Sequence, residues 1–210
     1  MAKLPAPPDP EELRWIGADL RALPAGTLLF RIYFRHGDHP GGWDEFRRFG
    51  PLATARFDHH PEPPQTHGVR GILYAAPLIK TCVAEVFQTG RAVDPGRREP
   101  WLAGFALAGE IRLLNLRGDW PTRAGGSMKI NSGPRPIARR WSRAIHEAYP
   151  VVAGLLYASS MHANEEVVAL YERASQAIPA RPQVHVPLSH PGLYGELDRI
   201  CGELGYALLP

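Results

Sequence analysis

The sequence predicts a single α+β domain, and three observations support this fold class. The 210 residues suffice for one sizeable hydrophobic core and are few for two independent ones. Strand-like and helical patterns follow one another along the whole chain, without an internal repeat or linker that divides it. Hydrophobic residues make up 44% and charged residues 21% of the chain, which is typical of a globular protein.

The N-terminal region predicts a helix after a short proline-rich lead-in. Residues 1–8 are expected to be mobile. Asp9 has the side chain of a helix cap, and Pro10 suits the first helical turn. We expect the helix to extend to Pro24, because four apolar residues recur at helical spacing: Leu13, Ile16, Leu20 and Leu23.

The next element, TLLFRIYF at residues 27–34, has the aromatic and branched residues of a β-strand. Its apolar side chains alternate onto one face, while Arg31 lies on the other face between Leu29 and Tyr33. A guanidinium in the middle of a strand is costly to bury unless an anionic group accompanies it. Arg31 is therefore a candidate functional residue.

Residues 35–71 predict a long loop region that contains five of the nine histidines, His36, His39, His59, His60 and His67. Zinc sites need three or four convergent ligands, and neither an HExxH motif nor a cysteine pair with ligand spacing accompanies these histidines. The sequence therefore favours solvated or hydrogen-bonded histidines, and we predict no metal site.

Residues 70–76 predict a strand that leads through Pro77 into a helix ending near Gly90. Glu85 lies beyond the apolar arc of this helix, on a polar face with few charges. The helix alone favours a solvated glutamate, because surface glutamates are common. The alternative is that Glu85 is a working carboxylate.

The second half of the chain predicts four more strand regions and two helices. One helix is expected at residues 137–149, after a Gly/Pro-rich segment, and the other at residues 193–204, where apolar residues recur at helical spacing. The strands are expected at 105–116, as one strand or a pair broken at Gly109, at 154–160, at 167–172, where a helix is the alternative, and at 185–188.

Several functional classes are disfavoured by composition and motifs. The net charge of +3 is too small to argue for nucleic-acid binding, and apolar runs fall short of the ~20 residues that span a bilayer. Cys82 and Cys201 lie in apolar patterns typical of buried thiols in a reducing compartment, so we expect a cytoplasmic protein. Ser159 and Ser160 follow a buried strand without the GxSxG elbow of a serine hydrolase, so a serine there would instead orient a ligand.

Five short segments in fixed order resemble the RES-domain family, which is named for its Arg, Glu and Ser. They are LFRI, FRRFGP, ARFD, ILYAAPLIKTCVAEVF and YASSM, and the resemblance runs from about Leu28 to Tyr171. The matching positions are Arg31, Arg56, Tyr74, Glu85 and Ser159, with Ser160 adjacent.

The resemblance implies the toxin half of a bacterial toxin–antitoxin pair, which degrades NAD by cleaving its nicotinamide–ribose bond with water or phosphate as acceptor. It implies an ADP-ribosyltransferase-like fold, with a mixed β-sheet around a cleft and flanking helices. Residues 27–210 would form this NAD-processing domain, and residues 1–26 would be an extension with a helix. NAD would be the substrate, without a metal.

The family also implies roles for residues and partners. Glu85 would stabilise the cationic ribose, Arg31 and Arg56 would bind the pyrophosphate, and Ser159 with Ser160 would orient the ribose or amide. Tyr74 would pack on the nicotinamide or ribose, or would be a core aromatic. A cognate Xre-like helix-turn-helix antitoxin would cover the active site, in a homodimer or larger toxin–antitoxin complex, without direct nucleic-acid or membrane contact by the toxin.

Two further readings stay open at this point. A protein ADP-ribosyltransferase would use the same residues, because acceptor choice depends on what reaches the ribose. A non-catalytic binding protein is the other alternative, because the chain departs from the family pattern at Ala55, Asp58, Ala158 and Met161.

Overall fold

A computed structural model describes residues 4–210, which form helices and strands around two main sheets. The helices are α1 (Pro10–Ile16), α2 (Ile79–Val86), α3 (Trp120–Arg123), α4 (Arg135–Ala148) and α5 (Tyr194–Leu204). The strands are β1 (Leu20–Leu23), β2 (Leu28–Phe34), β3 (Phe49–Gly50), β4 (Gln65–Thr66), β5 (Ile72–Ala75), β6 (Ala92–Val93), β7 (Pro100–Ala106), β8 (Ile111–Asn115), β9 (Gly154–Ala158), β10 (Glu166–Tyr171), β11 (Val184–Pro187) and β12 (Ala207–Leu208).

The larger sheet has five strands in the order β1-β8-β9-β10-β5. Its one parallel pair is β8 and β9, and the other neighbours are antiparallel. A parallel pair needs a crossover connection, which here contains α3 and α4. The sheet is therefore mixed, as the resemblance to the RES-domain family implies.

The smaller sheet has three antiparallel strands in the order β11-β7-β2. It is joined to the larger sheet by one bridge, in which the backbones of Phe30 and Ala76 exchange two hydrogen bonds of 2.7 and 2.9 Å. Ala76 directly follows β5, so the edge of the large sheet meets β2 at this point. The cleft opens beside this junction.

Three clusters of buried apolar residues show how the layers pack. One lies between the large sheet and the helices α1 and α4, with Trp120 and Trp141 among its largest members. A second lies between the two sheets and includes Leu29 and Leu156. The third lies between the small sheet and the helices α2 and α5. The order of layers is therefore helices, large sheet, small sheet, helices.

The predicted N-terminal helix is too long, and its lead-in is not entirely loose. The helix ends at Ile16 because Gly17 takes a φ of 75°, and Leu20–Leu23 forms an edge strand of the large sheet instead. Apolar residues at 20 and 23 suit a strand edge as well as a helix. The predicted mobility of residues 1–8 is wrong for Leu4, which is buried, and for Pro5, whose carbonyl accepts a 2.9 Å hydrogen bond from the Trp141 indole. Residues 1–3 lie outside the described part of the chain.

The remaining predicted elements are confirmed with small shifts. The region 105–116 is broken near Gly109 as one alternative proposed, but its first strand, β7, begins at Pro100, so most of that strand was not predicted. Residues 167–172 form a strand and not a helix, because β10 pairs with both β9 and β5. Every helix within residues 4–210 is too short or too polar to cross a membrane.

Candidate active site

A cleft of about 870 Å³ lies at the junction of the two sheets, between β2, β5, α2 and the loop region 35–71. Five arginines line it, against three carboxylates. The arginines are Arg31, Arg47, Arg48, Arg56 and Arg135, and the carboxylates are Asp38, Glu45 and Glu85. A cleft lined mainly by one sign of charge attracts ligands of the opposite sign.

Glu85 lies on the last turn of α2, with its carboxylate at the cleft. The Ser159 hydroxyl, which is only 1% exposed at the end of β9, donates a 2.5 Å hydrogen bond to Glu85 Oε1. The same hydroxyl oxygen accepts hydrogen bonds from the backbone amides of Met161 and His162, at 3.1 and 3.0 Å. Since both amides donate to it, the hydroxyl proton is directed at Glu85. Ser159 therefore orients the carboxylate and is not free to act as a nucleophile.

The turn after β9 is fixed to α2 by a second contact. Thr81 lies one turn before Glu85, and its hydroxyl is 2.9 Å from His162 Nδ1. Met161, which replaces the arginine common in the family, contributes its backbone amide to Ser159. That departure leaves the hydrogen bonds around Ser159 intact.

Arg31 and Leu29 lie on the same face of β2, two residues apart. Leu29 packs between the two sheets, and Arg31 lines the cleft. Its Nη1 donates to the carbonyls of Trp43 and Glu45, at 3.3 and 3.0 Å. Desolvation lowers the pKa of Arg31 to about 10, and the charge of Glu45 opposes this shift. The sequence predicted an anionic partner for Arg31, and the structure shows two backbone carbonyls as its hydrogen-bond acceptors instead.

Arg56 lies in the loop region and donates a 2.5 Å hydrogen bond from Nη1 to the Gly133 carbonyl. Desolvation, and next the nearby charge of Arg135, lower the pKa of Arg56, while Glu85 acts in the opposite direction. Tyr74 borders the same part of the cleft, and its hydroxyl accepts a 3.2 Å hydrogen bond from the Phe57 amide. Burial raises the pKa of Tyr74. Tyr74 therefore packs against the core and also presents a face to the cleft.

Asp58 explains how the loop carrying Arg56 keeps its shape. Its fully buried carboxylate accepts hydrogen bonds from Arg47 Nη2, at 2.8 Å, and from the Leu52 amide, at 2.7 Å, and it contacts the His60 ring. Burial alone would raise the pKa of Asp58, but the bonds to His60 and Arg47 hold it well below its usual range. Asp58 stands where the RES family usually has an asparagine, and Arg47 compensates the charge that Asp58 adds.

The sequence-predicted site residues are largely brought together. Arg31, Arg56, Tyr74 and Glu85 line the cleft, and Ser159 contacts Glu85. Ser160 is exposed and lies outside the residues that line the cleft.

Sequence reasoning missed Arg135, Gln88 and Tyr157, which also line the cleft. Tyr157 is buried beside Glu85, whose charge, after desolvation, raises its pKa well above the usual value. Arg135 lies in a Gly/Pro-rich sequence that gave no functional signal, because its position depends on the crossover between β8 and β9.

A second polar cluster is formed by His59, His146 and Glu172, which are not among the residues that line the cleft. Three ligand-type atoms of this group lie within 4.8 Å of one another, as a metal site would require. However, an Arg173 guanidinium nitrogen lies 3.3 Å from His146 Nδ1, and a guanidinium can only donate. Nδ1 is therefore the acceptor, and Nε2 carries the proton that it donates to Glu172 at 2.8 Å.

The charges of this cluster fit a hydrogen-bonded network. His59 Nε2 lies 3.2 Å from the second Glu172 oxygen, which also accepts from the Gly71 amide. Burial lowers the pKa of His59 to about 4 and also lowers that of His146. Burial opposes ionisation of Glu172, but its bonds to both histidines hold its pKa well below the usual range. Neutral imidazoles thus surround an ionised carboxylate.

The fold and the cleft define a mixed-sheet domain with a carboxylate and an excess of arginines at the junction of two sheets. Comparison with known families makes the class specific: the RES domain family model matches residues 28–189. The chain belongs to the RES domain family. No curated protein matches it.

Solved structures give a consistent result for the fold. Three chains match, and one of them is in the crystal structure of the M. tuberculosis MbcT–MbcA toxin–antitoxin complex. The TM-score is 0.59 at 16% sequence identity, and the match covers 90% of this chain and 97% of the other. The structural match covers a larger share of the chain than the family match does.

Proposed function

We propose that this protein is the toxin of a toxin–antitoxin pair and degrades NAD by cleaving the bond between nicotinamide and ribose. Water or phosphate would be the acceptor. The observation that carries the proposal is Glu85, whose carboxylate is oriented by Ser159 at a cleft with five arginines. Membership of the RES family and the likeness to a chain in a toxin–antitoxin complex support it.

The chemistry suits a single oriented carboxylate. When the C–N bond breaks, its electron pair leaves with nicotinamide, which becomes neutral, and positive charge develops on the ribose. A fixed carboxylate stabilises that charge most strongly in the transition state, which is how rate is gained. The acceptor oxygen then bonds to the anomeric carbon, and an acceptor water loses one proton to solvent. No general acid is needed, because the leaving group is already neutral.

The other residues of the cleft would bind and orient NAD. Arg56 would contact the pyrophosphate, because guanidinium groups form strong charge-assisted hydrogen bonds with phosphates. Arg31, on β2, would contribute its charge and its remaining N–H donors to pyrophosphate binding. Tyr74 would offer a flat apolar face to the ribose or nicotinamide. Ser159 would act through Glu85.

The partner proposal rests on the structural neighbour, which is part of a toxin–antitoxin complex. We infer that a cognate Xre-like antitoxin covers the cleft and blocks access of NAD. Residues 27–210 would form the NAD-processing domain, acting in the cytoplasm without metal or direct nucleic-acid contact, and within a homodimer or larger assembly with the antitoxin.

An NAD-consumption assay tests the reaction. Purified protein is incubated with NAD, with and without phosphate, and nicotinamide release and the ADP-ribose product are measured by mass spectrometry. We expect nicotinamide release by the wild type and its loss in Glu85→Gln, and phosphorylated ADP-ribose would identify phosphate as acceptor. NAD that survives both conditions would contradict the proposal. A mass gain of one ADP-ribose on a protein target would instead establish a transferase.

A further inference from the structure

Two guanidinium groups line the same wall of the cleft, although they come from distant parts of the chain. Arg56 belongs to the loop region, and Arg135 is the first residue of α4. The 2.5 Å bond from Arg56 to the Gly133 carbonyl ties the loop to the chain just before α4. This bond brings the two arginines to the same wall, and both side chains line the cleft.

The two charges lie close enough to act on each other. Arg135 is the strongest electrostatic influence on Arg56 after desolvation, and it disfavours the charged form. Proteins usually offset such repulsion with a carboxylate, as Arg47 does with Asp58 in the same cleft. Within residues 4–210, neither Arg56 nor Arg135 forms a salt bridge.

Within residues 4–210, most N–H donors of the pair have no hydrogen-bond acceptor. A guanidinium has five N–H donors. Arg56 uses one nitrogen for Gly133, and Arg135 uses one for the Gln88 side-chain oxygen, at 2.8 Å. By contrast, Arg31 holds two backbone carbonyls with its Nη1. The Arg56–Arg135 wall thus carries two positive charges without a carboxylate partner among residues 4–210, and one hydrogen bond of each guanidinium is accounted for.

Gln88 connects this wall to the carboxylate. Its side-chain nitrogen donates a 2.7 Å hydrogen bond to the Glu85 carbonyl, and its oxygen accepts from Arg135. One side chain therefore links the end of the helix carrying Glu85 to Arg135. This link joins the segment that carries the carboxylate to one of the two guanidinium groups.

We propose that Arg56 and Arg135 together form a seat for the diphosphate of a dinucleotide, with Arg135 as a specificity-determining residue and Gln88 as its positioning residue. The inference rests on the proposed function, because it assigns one part of the NAD substrate to this wall. Arg135 contributes binding of the anionic bridge, while Glu85 acts at the ribose. Loss of Arg135 therefore weakens binding and leaves the chemical step nearly unchanged.

The test compares Arg135→Gln with the wild type in two measurements. The first is NAD cleavage, with kcat and KM determined separately. The second is the dissociation constant of ADP-ribose, which contains the diphosphate and is read by calorimetry without turnover. We expect KM and the ADP-ribose dissociation constant to rise about 10- to 100-fold, with kcat within about threefold, because charge-assisted hydrogen bonds to phosphate are lost. Arg135→Lys, which keeps the charge without the fork, is expected to fall in between.

The matched control is Arg140→Gln, an exposed arginine further along α4, which is expected to leave both constants unchanged. A thermal unfolding midpoint near that of the wild type verifies that each variant folds. Two results would contradict the proposed diphosphate seat. One is an Arg135→Gln variant whose KM and ADP-ribose dissociation constant both stay within twofold of the wild type, and the other is a variant in which only kcat falls.

The two proposals fail in different ways. If the wild type cleaves NAD and Arg135→Gln behaves like it, the reaction stands and the seat does not. If the wild type binds ADP-ribose through Arg135 but spares NAD, the seat stands and the proposed reaction does not. A wild type that binds no ADP-ribose and spares NAD removes both.

Discussion

Two carboxylates of this protein, Glu85 and Glu172, are both half-buried and hydrogen-bonded, yet only Glu85 lines the cleft. Glu85 accepts one hydrogen bond from Ser159 and is otherwise directed at the cleft. Glu172 accepts from His59, His146 and the Gly71 amide, so both of its oxygens are occupied. The difference indicates that unused hydrogen-bonding capacity distinguishes the carboxylate of a binding site from the carboxylate of a structural network.

The same substitution at the two carboxylates should break different properties, and the largest effect is expected at Glu85. Glu85→Gln keeps the shape of the side chain and removes its charge, so NAD cleavage is expected to fall by about 1,000-fold or more, because the cationic ribose loses its stabilising group. Initial rates of nicotinamide release measure this. The unfolding free energy from urea titration is expected to stay within about 1 kcal/mol of the wild type, because Glu85 forms no ion pair within residues 4–210.

Glu172→Gln is expected to show the reverse pattern. The amide replaces an ionised acceptor of three hydrogen bonds and brings an NH₂ group against donors, so the unfolding free energy should fall by about 2–4 kcal/mol. Urea unfolding followed by circular dichroism measures the change. The folded variant should keep kcat and KM for NAD within about threefold at a temperature well below its unfolding midpoint. A variant as stable as the wild type, or one that folds but is inactive, would contradict the separation of the two regions.

Ser159→Ala sharpens the account of the cleft, with a smaller expected effect. Glu85 keeps its charge but loses the hydroxyl that orients it, so kcat should fall by about 10- to 100-fold, while KM changes little. The matched control is Ser160→Ala, whose side chain is exposed, and it is expected to keep kcat within about twofold. Equal losses in both variants would contradict the placement of Ser159 as the orienting group.

The cluster of His59, His146 and Glu172 should also make the stability of the protein depend on pH, which is the smallest of the expected effects. His59 has a folded pKa of about 4, below the ~6.5 of an unfolded histidine, so protonation favours the unfolded chain. Stability should therefore be complete above pH 6.5 and decline as the pH falls toward 4. Between pH 6.5 and 5, His59→Gln is expected to lose about 1–2 kcal/mol less than the wild type.

The sequence predicted most strands and helices, because apolar periodicity decides which face of an element is buried. It went wrong where periodicity is ambiguous, at Leu20 and Leu23, since a spacing of three residues fits a helix stripe and a short edge strand alike. The glycine at 17 was the missed signal, because its positive φ ends α1.

The site was predictable only where order along the chain carried information. Helical spacing alone favoured a solvated Glu85, and the ordered family motifs reversed that interpretation. Arg135 and Gln88 could not be found in this way, because their contact joins residues 47 positions apart through a crossover that no local pattern encodes. His59 was expected to be solvated or hydrogen-bonded. It is hydrogen-bonded to Glu172 and stacks on His146, and both contacts depend on the tertiary fold.

The crossover between β8 and β9 has a consequence for synthesis on the ribosome. Ser159 bonds to Glu85 across 74 positions, and Gly133 receives Arg56 across 77. Until β9 has left the exit tunnel, the large sheet lacks its middle strand and Glu85 lacks its orienting hydroxyl. Chains are made at about 5–20 residues per second, so the first 150 residues exist for several seconds as a nascent segment without a completed cleft. The topology therefore delays assembly of the cleft until most of the chain has been translated.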